Sequence, residues 1–132
     1  MKSAQQYVQE IKSQIQEVSV QTLHDLLAAQ HPVLIDVREP DEFAAGCIDR
    51  AVNFPRGVLE MKIHQHPSVV AHCEPMTALT ELAKQPIYLI CRSGARSALA
   101  AKSLQDMGFP TVYSVIGGYQ AWTDAGFAVS KP

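Results

Sequence analysis

IYLICRSGARSALAAKSLQDMG, residues 87–108, reads as three events in a row. Ile87 to Cys91 is a short, nearly continuous apolar run, the pattern of a strand covered on both faces of a parallel sheet. Arg92 to Arg96 must then turn sharply, with Gly94 relieving the steric cost of the turn. Ser97 to Gly108 is a helix pattern closed by glycine, with Pro110 beyond it. Cys91 therefore stands at the carboxyl edge of its strand, where open parallel sheets hold their ligands.

Outward from this stretch the same alternation continues. VLIDV (33–37) is a second buried-strand signal, TVYSV (111–115) a weaker third, and AVNF (51–54) a fourth. Helix patterns lie between and beside them at 20–30, 39–46, 78–85 and 117–126. Pro40 near the first turn of the second and glycines closing it and the last agree with helix-end preferences. Strand and helix in turn, with short connections, predict an α/β fold: one parallel β-sheet flanked by helices. Val8, Ile11, Ile15 and Val18 recur at spacings of three and four. They predict an amphipathic helical extension over residues 1–18, packed on a main domain of residues 19–132.

At 132 residues, with 47% hydrophobic and 18% charged, the chain has the size and composition of a single globular domain. A formal net charge of -2 gives no ground for a nucleic-acid partner. No segment has the apolar length of a signal peptide or a membrane span, so the expectation is a cytoplasmic protein with no membrane partner. Cys47, Cys73 and Cys91 are odd in number and irregular in spacing, neither a disulfide framework nor a metal ribbon. His64, His66, His72 and Cys73 match no standard zinc spacing, and the stretch 64–75 reads as a solvated loop, so no metal is expected.

The turn after Cys91 has a specific chemistry. Arg92, Ser93, Gly94, Ala95, Arg96 and Ser97 would aim successive backbone N–H groups inward, and the following helix adds the positive end of its dipole. Arg92 and Arg96 add formal positive charge. Each of these favours a thiolate over a thiol. The loop is an anion cradle with a nucleophile, Cys91, at its floor. Cys47 has two open roles, a small apolar filler or a resolving thiol. Arg38 and Glu42, four apart, are a candidate surface pair.

CRSGARS, with IDVREPDEF upstream and VYSVIGGYQAWTDAG downstream, resembles the rhodanese (sulfurtransferase) family. GCIDRAVNFP sits where that family usually has GHIPGAINIP. The resemblance covers roughly residues 19 to 128 and implies a parallel sheet flanked by helices. It implies that Cys91 takes the outer sulfur of a small anionic donor such as thiosulfate, forming a persulfide. A thiol, cyanide or a protein acceptor would then remove that sulfur, with no cofactor. It also makes Asp36 a carboxylate that holds the loop through Arg92. Cys47 in place of the usual histidine, and Asp49–Arg50 in place of Pro-Gly, depart from the pattern. Two alternatives to a free-standing sulfurtransferase are a persulfide carrier or regulatory binding module, and a cysteine phosphatase. Cysteine phosphatases carry arginine six places after the cysteine; here that position is Ser97 and the arginine, Arg96, arrives one residue early.

Overall fold

The computed structural model describes residues 1–132. Helices and strands alternate along it: α1 (Ala4–Lys12), β1 (Gln16–Val18), α2 (Val20–Ala29), β2 (Val33–Asp36), α3 (Pro40–Ala45), β3 (Val52–Asn53), α4 (Leu59–Lys62), α5 (Pro75–Leu82), β4 (Ile87–Ile90), α6 (Ala95–Met107), β5 (Val112–Val115) and α7 (Gly118–Asp124). The five strands form one sheet in the order β1-β5-β4-β2-β3, and every neighbouring pair is parallel. Asp36 pairs with Ile90 and also with Asn53, so the carboxyl ends of the three strands come level. That edge carries the candidate site.

The period of two in β2 and β4 sorts their side chains between two cores. Val33, Ile35, Ile87, Leu89 and Cys91 join the larger cluster, with Leu59, Ala78, Leu82 and Leu104 from α4, α5 and α6. Leu34, Tyr88 and Ile90 face the other way, against Leu23 of α2 and Trp122 of α7. Both faces of the central strands are thus covered, and all four residues of β2 and of β4 are buried, the pattern their continuous apolar runs imply.

The first eighteen residues depart from the expected single helix. Ser3 and Gln6 form a reciprocal capping box that starts α1, as such pairs do by satisfying orphan N–H groups. The helix stops at Lys12, and Gln16–Val18 pair with Tyr113–Val115 as an edge strand. Ile15 packs against the larger cluster and Val18 against the smaller. Spacings of three and four therefore straddle two elements. Of the three strand residues only Val18 is β-branched, and it is pairing that makes the strand: β5 gains an outer neighbour, and the Ile116 N–H donates to the Val18 carbonyl at 2.8 Å. In the stretch expected to be loop, a 3-10 turn occupies Ile63–Gln65 and α5 already begins at Pro75.

Candidate active site

Cys91 follows β4 directly and is 1% exposed. Gly94, in the left-handed region at φ 103°, is the N-cap of α6, a conformation open to glycine and costly for other residues. That turn brings the Gly94 N–H to 3.1 Å from the Cys91 sulfur, to which it donates. The thiol donates to Ser97 Oγ at 3.3 Å, and Ser97 Oγ is 2.8 Å from Ser114 Oγ. Both serines are fully buried. Ser114 is the member of this chain of hydroxyls that the sequence does not mark as part of the site. Its one legible signal was a hydroxyl on an otherwise apolar strand, a group that must find a partner when buried.

The loop is fastened from outside by α7. The Tyr119 N–H donates to the Cys91 carbonyl at 2.8 Å and the Gln120 N–H to the Arg92 carbonyl at 3.0 Å. The first turn of α7 thus spends two of its orphan donors on the loop. A Cβ at Gly118, itself at φ 56°, would overlap the Cys91 carbonyl and approach Arg92 O at 2.8 Å. Gly118 is what allows the approach, while a Cβ at Gly117 would meet Ala121 within α7 itself.

The arginines are arranged otherwise than expected. Asp36 does not reach Arg92. Its carboxylate takes Arg38, with Arg38 Nε donating to Oδ1 at 3.0 Å and Nη2 to Oδ2 at 2.8 Å. Arg38 Nη2 also donates to the Gly46 carbonyl at 2.8 Å, and its guanidinium lies 4.2 Å from the Tyr119 ring centroid. Burial opposes the charge on Arg38, and hydrogen bonding and attraction to Asp36 more than offset it. The direction of each guanidinium decides this: Arg38 turns inward beside Asp36, its side chain 5% exposed, while Arg92 turns out to solvent.

The expected Arg38–Glu42 pair does not form either, because Pro40 starts α3 after Arg38 and the two do not share a helical face. Glu42 accepts instead from Arg96, at 2.7 Å and 3.0 Å, a fork across 54 residues of chain. The Arg96 hydrogen bonds, helped by the Glu39 N–H and opposed by burial, hold the Glu42 carboxyl at about 2. Arg96 is therefore a latch between α6 and α3, with its charge matched. Arg92 takes part in no ion pair of the molecule.

Above the loop opens a cleft of about 300 Å³ whose walls include Arg38, Glu42, Gly46, Arg92, Tyr119 and Gln120. Cys47 lies beside it, 3% exposed, its backbone paired in both directions with Ser130 and its sulfur 3.9 Å from Ser130 Oγ. Asn53 braces the floor, its Nδ2 donating to the carbonyls of Asp36 and Arg38 at 2.9 Å each. His64, His66, His72 and Cys73 do not gather. His66 is buried and its Nδ1 accepts from the Ser68 N–H at 3.1 Å, and no group of three metal-ligating side chains forms.

A parallel α/β sheet that carries a buried thiol at its carboxyl edge, under the first turn of the next helix, is the class of domain that the fold and the site define. The chain belongs to the family of the rhodanese-like domain, whose sequence profile matches residues 19–125. α1 and β1 precede that match. Among curated proteins the chain is similar to thiosulfate sulfurtransferase 16, chloroplastic, of Arabidopsis thaliana, at 37% identity over 112 residues, 83% of this chain and 88% of that one. Among solved structures it is similar to a Rhodopseudomonas palustris protein of unknown function described as a possible tyrosine phosphatase. There the TM-score is 0.78 at 32% identity, covering 98% of this chain and 96% of the other. A human single-domain sulfurtransferase matches with a TM-score of 0.63 at 27% identity, over 82% of this chain and 95% of that one. No helix is long and apolar enough to cross a membrane.

Proposed function

We propose that the protein moves a sulfane sulfur from thiosulfate or a persulfide donor to a thiophilic acceptor through a persulfide on Cys91. The observation that carries this reading is the sulfur of Cys91 beneath the Gly94 N–H at the start of α6. In the first step the Cys91 sulfur attacks the outer sulfur of thiosulfate. A new S–S bond forms, the S–S bond of thiosulfate breaks, and its electron pair leaves with sulfite. The thiol proton passes to solvent. The terminal sulfur then carries the negative charge, and the loop N–H groups from Arg92 to Ser97 and the helix dipole hold it. In the second step the acceptor attacks that terminal sulfur and Cys91 leaves as thiolate, received by Gly94 N–H. A thiol acceptor becomes a persulfide, and cyanide becomes thiocyanate. This is covalent catalysis by a cysteine nucleophile, and no step requires a cofactor or metal.

The likeness to a protein described as a possible tyrosine phosphatase raises a second reading. Phosphoryl transfer on such a loop needs an arginine free to clamp phosphate oxygens. Arg96 stands five places after Cys91 and its fork is taken by Glu42, which favours sulfur transfer. The domain that carries this chemistry would be residues 19–132, with residues 1–18 an extension that adds α1 and the edge strand β1 to it, and a reducing compartment such as the cytoplasm would keep Cys91 competent. The test is direct. Incubation with thiosulfate should add one sulfur to the intact mass, and cyanide should release it as thiocyanate. Cys91→Ser should lose both while keeping the fold. Hydrolysis of an aryl phosphate that disappears in Cys91→Ser would replace this reading with the second. Full sulfur loading without catalytic turnover to small acceptors would make the protein a carrier.

A further inference from the structure

Of the positive charges near the loop, Arg38 is held by Asp36 and Arg96 by Glu42. Two remain without an acidic partner: Arg92 on the loop and Lys12, which takes part in no ion pair of the molecule. Lys12 ends α1, outside the segment that the family profile matches. α1 packs along α6, the helix that the loop opens. Between them runs a second groove, of about 370 Å³, walled by Gln5, Val8, Gln9 and Lys12 on one side and by Ser93 and Ala95 on the other. Ser93 and Ala95 lie two and four residues after Cys91. The loop is thus flanked by two openings, the arginine-lined cleft on the α7 side and this groove on the α1 side.

The groove is too large for a five-atom oxyanion to fill, and its chemistry differs from that of the cleft. Gln5 and Gln9 offer amides, each both donor and acceptor, which suits the backbone of a peptide. Val8 and Ala95 are apolar. Its one formal charge is the unmatched Lys12. Glu10, the acid nearest to it in α1, is held by Lys2 at 2.6 Å, so nothing on that helix cancels Lys12. An occupant that matches is a peptide whose cysteine is flanked by carboxylates.

Resting on the sulfur-transfer reading above, we propose that α1 is the acceptor wall of the site, and that Lys12 selects acidic cysteine-bearing peptides as sulfur acceptors. Attraction at a partly exposed site is worth a few-fold in binding, and reversal of the charge more.

The experiment starts from protein whose Cys91 has been loaded from thiosulfate and verified by intact mass. Sulfur transfer is then followed to three acetylated, amidated tripeptides, Asp-Cys-Glu, Ser-Cys-Ser and Lys-Cys-Lys, at matched thiolate concentration. The native protein should prefer the acidic peptide, and added salt should erase the preference. Lys12→Gln should raise the KM for the acidic peptide about three-fold and Lys12→Glu about ten-fold, with less than a two-fold change for the serine peptide. Lys84→Glu, the same charge change at the opposite edge of the sheet, should alter neither. Equal use of the three peptides by the native protein overturns the proposal, as does a Lys12→Glu effect that is the same for all of them. Failure of the protein to load sulfur at all would instead strike the sulfur-transfer reading itself, so the two failures are told apart at the first step.

Discussion

At Glu42 the carboxylate serves two partners at once, the Arg96 fork and the Glu39 N–H. Its folded pKa, about 2, lies below the ordinary 4.5, so the unfolded chain binds its proton more readily than the folded one. The resulting stabilisation is fully present above pH 4.5 and is lost as pH falls from there through about 2. Glu42→Gln should therefore be less stable than the native protein at neutral pH, by about 1 kcal/mol for a pair that is roughly a third exposed. The gap should close near pH 2. Urea midpoints across that range check it, and a gap independent of pH would mean that the carboxylate charge is not what holds the latch. Arg96 was visible in the sequence as a cation in the loop, but its partner was not, because the fork joins residues 54 apart and no local spacing encodes that. The same holds for Asp36. Its position at a strand end was legible, whereas the choice between Arg38 and Arg92 depends on which guanidinium the turn leaves facing inward.

Elements differ in how plainly their residues announce them, and the reason is burial. β2 and β4 are covered on both faces, so every residue is apolar except Asp36, which is paired with Arg38, and a four-residue run suffices. β1 is an edge strand of three residues, one exposed and two half-buried, and its sequence carries no alternation that a strand rule can use. α6 and its turn were legible through Gly94, since a sharp strand-to-helix turn requires a left-handed residue. What α7 does was legible only in part. The paired glycines mark a turn, but the purpose of Gly118, room for the first turn of α7 to bond the Cys91 and Arg92 carbonyls, appears only in three dimensions. Gly118→Ala tests that purpose. The added methyl meets backbone that cannot swing aside, at a φ that also disfavours alanine. The expected cost is about 1–3 kcal/mol, with sulfur loading of Cys91 slowed more than ten-fold. Gly126→Ala, also at positive φ but with nothing within 4 Å of the new methyl, separates strain from collision. It should lose stability without slowing the loading step. Equal slowing in both would show that general loosening, and not displacement of the loop, is responsible.

The molecule as a whole is a sheet whose active edge is fixed by its middle strands and whose outer strand is supplied by the N-terminal extension. This gives residues 1–18 two separable contributions. α1 buries Ile11, 6% exposed, against the domain, while β1 covers the open side of β5. Deletion of residues 1–12 should remove the first alone. It should cost about 1.5–3 kcal/mol, the value of one large apolar side chain, and leave a monodisperse protein whose Cys91 still loads from thiosulfate. Deletion of residues 1–18 removes both and bares the N–H and C=O groups of a buried apolar strand, an edge of the kind that recruits other chains. That variant should self-associate on sedimentation and lose its sharp thermal transition. Ile15 and Val18, which pack on opposite cores, make the second loss the larger. If both truncations remain monodisperse and melt alike, β1 adds nothing to the sheet beyond what α1 adds to its surface, and the edge of β5 is protected by other means.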